Sequence, residues 1–351
     1  METDWTGFSR DILQQAWAEG YDIQPWLRRA SSPSEPMSLL GTLSSLPRRP
    51  AAHYQANTSF PVGSLFVARR IQSEQLISGI RGLWTGALRT LRALSLPDDE
   101  AGLSNEAHWP LNLFIGRTGW SYEPDQFLQV WVQHGTEVQH TRAEQYLLQG
   151  NQRPLWHPYR EASGAMRRAP LWGALYAGTP DQAGWAAARD AQTTYVGWGV
   201  WTSMVVAQAA ARLFTDRLPL AVVFMQTAEQ FSVHQPNLAE MLAVCQATYE
   251  DERPWEEWVR HLEATFSFYP FDHSLPNFLI IAGALLWYQR NHDTVFRALR
   301  QAGWDTTGNS LVVGALQGCA NGGHGLSDRT NPFLDAVVSK TLSWNHPGSR
   351  L

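Results

Sequence analysis

Apolar residues recur every three to four positions along most of this chain, and that spacing predicts helices rather than strands. FSRDILQQAWAEGYDIQPWLRRA (8–30) shows it and runs into SSPSEP, a Pro/Ser break. MSLLGTLSSLPRRP (37–50) predicts a second, short helix stopped by proline, and residues 51–75 are mixed enough to hold an extended piece. QLISGIRGLWTGALRTLRALSL (75–96) predicts a long amphipathic helix whose Gly79, Gly82 and Gly86 would let another helix approach closely. After the acid-containing loop LPDDEAGLSNEAHWP (96–110), helices are predicted in PLNLFIGRTG (110–119) and EPDQFLQVWVQH (123–134), the latter with proline near its start. Residues 180–214 predict two helices around a short turn, and 254–266, 277–290 and 293–302 complete the series.

Strand-like alternation is scarce, so the expected fold is all-α, a compact multi-helix bundle rather than an up-down four-helix bundle. No repeat of roughly 30–50 residues argues for a solenoid. The expected organisation is a helical N-terminal extension over 1–75 and a main helical domain over 76–345.

Composition narrows the function classes. The 351 residues are 44% hydrophobic and 17% charged, enough for one large core with an accessory segment. A net charge of −5 and the lack of a basic stripe argue against a nucleic-acid partner held by phosphate contacts. Lys340 is the only lysine, which reads first as a compositional bias and only second as anion recognition. Cys245 and Cys319 form no metal-spaced pair, which fits a reducing compartment. METDWTGFSRD carries acids where a signal peptide would be basic, so a cytoplasmic location is expected. The charge-free run Ala191–Ala211 contains Gln, Thr, Ser and Gly and reads as a buried helix, so no membrane partner is expected. The 17 tryptophans read first as core residues, with lining of a ligand cleft as the alternative. HExxH, P-loop and GxSxG motifs are absent, and VGWGVW lacks the strand and third glycine of a dinucleotide fingerprint.

Several segments, in order, carry a family resemblance. HPYREASGAMRRAPLWGALYAGTPDQAGWAAARDA (157–191) is similar to the Pro-Tyr-Arg-Glu, Gly-Ala-x-x-Arg and Pro-Gly-x-Pro-x-x-Ala run of the ADP-ribosylglycohydrolase family. GVWTSMVVAQAAARLF (199–214) follows at the family's distance. NHDTVFRALRQAGWDTTGNSLVVGALQGCANG (291–322) resembles its last helix, its Gly-Trp-Asp-Thr-Asp metal loop and the helix behind it, and GIRGLWTGALRTL (79–91) its Gly-rich first helix. The resemblance spans roughly 76–330. It implies an orthogonal all-α bundle, a site for two magnesium ions, and cleavage of an N- or O-glycosidic bond of ADP-ribose or a related N-ribosyl compound.

The same resemblance implies a ligand set, from which this chain departs. Hard cations such as Mg²⁺ favour oxygen ligands, and bound metal can orient and activate the attacking water. Asp305 matches the first acid of the loop, with Thr306 beside it; Thr307 replaces the second acid, and Gly308 removes the hydroxyl that follows. In the best register, Asn105 and Glu106 stand where the family has its N-terminal acids. Asp305, Thr306, Thr307, Asn105 and Glu106 are therefore the expected metal ligands, with Asp305 and Glu106 catalytic, for one ion or none rather than two. Gly164, Arg167, Tyr195 and Trp304 are expected on the substrate side.

Each has a plainer alternative. Asp305 could simply cap a helix starting near Thr306, Glu106 could pair with His108 in a solvated loop, and Asp98, Asp99 and Glu100 could be a charged turn. Arg160–Glu161 reads as a structural ion pair and Asp190 as a buried structural acid. Arg167 could meet a phosphate bidentately. Two functional readings remain: a divergent hydrolase acting on ADP-ribose, a related ribosyl ligand or an ADP-ribosylated protein, or an inactive family member that binds a ligand or a protein.

Overall fold

Twelve helices make up the regular structure of the computed structural model, which describes residues 65–93, 141–148, 159–232, 235–267, 269–288, 292–322 and 332–344. They are α1 (Ser73–Ala93), α2 (Arg142–Leu148), α3 (Gly164–Leu175), α4 (Pro180–Gln192), α5 (Trp198–Leu213) and α6 (Leu220–Ser232). The series continues with α7 (Pro236–Glu250), α8 (Trp255–Phe266), α9 (Ser274–Trp287), α10 (His292–Ala302), α11 (Thr306–Asn321) and α12 (Pro332–Ser343). Among the described residues the only β-type pairing is an isolated bridge between Ala162 and His273. The all-α expectation is therefore met. The helices predicted over 8–30, 37–50, 110–119 and 123–134 lie outside the described residues, as do Asp98, Asp99, Glu100, Asn105, Glu106 and His108.

The predicted helix over 75–96 is α1. Leu76, Ile80, Leu83, Trp84, Ala87 and Leu88 form its buried face at helical spacing. Its glycines do what their spacing suggests: α11 lies directly against them. A Cβ on Gly86 would stand 2.0 Å from the Gly314 carbonyl oxygen, and one on Gly318 would stand 2.0 Å from that of Gly82. Thr90 fixes the same seam by donating to the Gly86 and Ser310 carbonyls, at 3.1 Å each.

The charge-free run of 191–211 falls mostly in α5, which is buried along nearly its whole length between α3, α4, α6 and α9. Small residues again set the distance, since a Cβ on Gly173 of α3 would meet Ala210 at 2.4 Å. No helix among the described residues is long and apolar enough to cross a membrane. On the other side, α9 is buried from Ser274 to Leu286, and α7 and α8 pack on it. α8 buries Trp255, Trp258, Val259, Leu262 and Phe266, a clean amphipathic stripe. α6 and α7 are additional helices in a stretch for which the spacing above predicts none.

Ahead of α1, residues 65–72 carry no regular structure and are tied to the bundle. The Leu65 and Phe66 amides donate to Asp181 Oδ2, at 3.0 and 3.2 Å, and the Arg69 amide donates to the Gly178 carbonyl at 2.8 Å.

One buried polar cluster joins α2, α3 and α4. Arg168 donates to Glu144 at 2.7 Å and to both oxygens of Asp190, at 2.8 and 3.1 Å, and the Trp172 indole donates to Asp190 at 2.8 Å. Burial alone would pull the Arg168 pKa down; the two carboxylates outweigh it and keep the guanidinium charged. Asp190 is thus the buried structural acid that the sequence suggests.

The α1–α11 seam gives the first prediction. Alanine is better than glycine in a helix interior by roughly 1 kcal/mol, yet Gly86→Ala drives a methyl into backbone. Overpacking wins, and a net loss of about 2 kcal/mol in unfolding free energy is expected from urea denaturation.

Candidate functional site

The backbone reaches Asp305 through two consecutive left-handed residues, Gly303 at φ +73° and Trp304 at φ +56°. Glycine adopts that conformation freely, whereas a bulky residue such as tryptophan does so rarely. The pair turns the chain sharply from α10 into α11 and leaves Asp305 as the N-cap, buried to 4% exposure. Its Oδ1 accepts from the Gly308 amide at 3.1 Å, so the capping role is real.

The same carboxylate is the anchor of a polar cluster. Arg167 of α3 donates through Nη2 to both oxygens, at 2.8 Å each, and through Nε to Oδ2 at 3.3 Å. The Ser163 hydroxyl donates to Oδ2 at 2.7 Å. Behind it, Asn277 of α9 accepts from the Asp305 amide at 2.9 Å and from Asn309 Nδ2 at 2.8 Å. Asn277 in turn donates to the carbonyls of Phe271 and His273, at 2.9 and 2.8 Å. The carboxylate thereby ties the starts of α3 and α11, and α9 joins them through the Asp305 backbone amide and the Asn309 side chain. The loops before α3 and α9 also pair directly, through Ser163 N to the Asp272 carbonyl and Ser274 N to the Glu161 carbonyl, both at 2.8 Å.

Electrostatics follow from this geometry. Burial pushes the Asp305 carboxyl up, but the Arg167 charge and the Ser163, Arg167 and Gly308 hydrogen bonds outweigh it and hold it below the ordinary carboxylate range. The acid therefore stays ionised, and each of its oxygens already accepts from several donors.

The expected substrate-side residues separate into two groups. Arg167 retains some exposure, 23% of its side chain, and Trp304 is half-buried against the core. Tyr195 and Gly164 lie inside. Tyr195 has no exposed surface, and its hydroxyl sits 2.9 Å from Thr141 Oγ1. A Cβ on Gly164 would be 2.0 Å from that hydroxyl, so this glycine makes room for the tyrosine. What the structure gives these two is a packing contact. Arg167 meets a protein carboxylate where the sequence suggested a phosphate.

Of the expected metal ligands, Thr306 donates its hydroxyl to the Gly303 carbonyl at 3.1 Å, and Thr307 is half-buried one residue on. Asn105 and Glu106 lie outside the described residues. The described residues do not fit a magnesium ion at Asp305. Mg²⁺ is held through one or two carboxylates together with waters, and each carboxylate must offer it a free lone pair. Here the single carboxylate is saturated by cationic and neutral donors, Thr307 is uncharged, and Gly308 brings no side chain.

Ser163, Asn277 and Asn309 are site residues that the sequence reading did not single out. Asn277 carried a signal: a lone amide in the apolar run NFLIIAGALLW is costly to bury unless it is hydrogen-bonded. Of the structural ion pair expected at Arg160–Glu161, both side chains are buried; burial lowers the Arg160 pKa, and the Glu161 charge opposes that shift.

The sign of the Asp305 shift fixes a pH prediction. A carboxyl held below its unfolded value, about 3.9, adds stability that is fully present above that value and disappears as pH falls through the folded one. Asp305→Asn keeps an N-cap but breaks the charge pair, with an expected loss of about 3 kcal/mol at neutral pH. Denaturant unfolding at several pH values should show that gap constant down to about pH 5 and narrowing below it; a gap that widens in acid would contradict the assignment.

Comparison with known families places this geometry. The family model for ADP-ribosylglycohydrolase matches residues 110–335, which take in α3, α9, the loop at Asp305 and α11. The match begins downstream of Asn105 and Glu106. No curated protein matches the chain.

Proposed function

Because the chain belongs to the ADP-ribosylglycohydrolase family, we propose that the region around Asp305 receives ADP-ribose or a related N-ribosyl compound, free or carried on a modified protein, and binds it without cleaving it. The match supports a hydrolase of this type in general. The observation that carries the narrower reading is the state of Asp305. A group that activates water, or holds a metal that does so, needs an accessible lone pair and enough basicity. Asp305 is buried, its pKa is depressed, and both its oxygens accept hydrogen bonds from Arg167. Its chemistry suits joining the starts of α3 and α11 better than moving a proton.

Hydrolysis is the second reading, and a specific observation favours it: Asp305 stands ionised at the position of the family's first loop acid. On that reading Asp305 and Glu106 carry the reaction, with Asn105, Thr306 and Thr307 in support and magnesium as the cofactor.

One pair of measurements on the full chain separates them. Calorimetric titration with ADP-ribose is expected to show binding, while ADP-ribosylated peptides incubated with the protein and Mg²⁺ are expected to release no ADP-ribose. Turnover that Asp305→Asn abolishes would establish the hydrolase instead. Absence of both binding and turnover would overturn the ribosyl-ligand reading.

A further inference from the structure

We propose that Arg167 has taken the place of the dication at Asp305, so that this corner of the site is balanced by a guanidinium and takes up no divalent metal. The inference concerns the cation: it goes beyond the ligand reading above and is incompatible with magnesium at Asp305 in the hydrolytic one.

Two independent features carry it. The first is charge. A dication carries two positive charges to be neutralised, whereas a guanidinium carries one and is balanced by one carboxylate. The loop supplies one, Asp305, and has threonine at 307 where the resemblance leads one to expect another acid. Arg167 meets that single carboxylate through a fork, the geometry in which arginine binds carboxylates best.

The second is space. A Cβ on Gly308 would lie 2.3 Å from Asp305 Oδ2 and 2.7 Å from Arg167 Nε. A hydroxyl-bearing residue at 308 is therefore incompatible with the guanidinium where it now sits. A side chain at 308 would require Asp305 and Arg167 to shift, so glycine there and the present seating of Arg167 go together. Ser163 completes the arrangement, since its hydroxyl occupies a lone pair of Oδ2 that a metal would need.

The test uses the full-length chain and metal alone. Calorimetry and thermal unfolding with Mg²⁺ and with Mn²⁺ are expected to show no saturable uptake and no rise in Tm up to millimolar concentrations. Micromolar uptake that Asp305→Asn abolishes would overturn the proposal. In a second arm, Arg167→Ala leaves Asp305 without its cation. Its Tm is expected to fall by several degrees and to recover in part with millimolar Mn²⁺ or guanidinium, neither of which raises the wild-type Tm. A folded Arg167→Ala protein indifferent to both cations would also overturn it. Should that variant fail to fold, the wild-type titration remains decisive. Neither arm contains a ribosyl ligand, so its failure is distinct from failure of the ligand reading.

Discussion

An arginine shielded from water must be met by carboxylates, and on α3 this happens twice in succession, at the half-buried Arg167 and the buried Arg168. Arg167 and Arg168 are neighbours in sequence and point to different partners. Arg168 closes on Glu144 and Asp190 inside the bundle, while Arg167 closes on Asp305 at the start of α11. Breaking the Arg168 pair leaves an uncompensated buried charge, which costs about 3–5 kcal/mol, and breaking the partly exposed Arg167 pair costs less. The position of α3 is fixed by that requirement at both residues, and with it the loop that presents Ser163.

Much of the scaffold was legible because it is built from local patterns. The apolar stripes of α1 and α8 have helical spacing, and the glycines of α1 state in advance that a second backbone will come close. The charge-free run around α5 identifies a helix buried on all sides. α6 and α7 were harder to read. Pro219 and Pro236 mark their starts, but neither start carries a Ser, Thr, Asp or Asn cap. Tertiary packing, more than local sequence, defines such helices.

The site was legible only in part, and the limit is physical. That Asp305 caps a helix is a local fact, encoded by an acid followed by a helical run, and the sequence offered it as one of two alternatives. That Arg167 would satisfy it is not local: the two residues are 138 positions apart, and no spacing rule connects them. Tyr195 shows the reverse error. An aromatic residue at a family site position reads as a ligand contact, yet only the fold reveals that Gly164 and Thr141 enclose it. Asn105 and Glu106, which the hydrolase reading needs most, lie outside the described residues.

The two arginine clusters also show how guanidinium groups and neutral donors balance carboxylates in a low-dielectric site. Around Arg168 two carboxylates face one guanidinium, and neutral donors share the excess: the Trp172 indole serves Asp190, and the Thr141 amide serves Glu144 at 2.8 Å. Around Asp305 one carboxylate faces one guanidinium, and the Ser163 hydroxyl and Gly308 amide take up further lone-pair capacity. A second acid at 307 would tip this pair toward the imbalance of the first, with no indole or spare amide yet assigned to it. Threonine there adds no charge and fills similar volume. The acid count of the loop and the identity of its cation are therefore coupled: threonine at 307 and the guanidinium of Arg167 on Asp305 are two sides of the same electrostatic constraint.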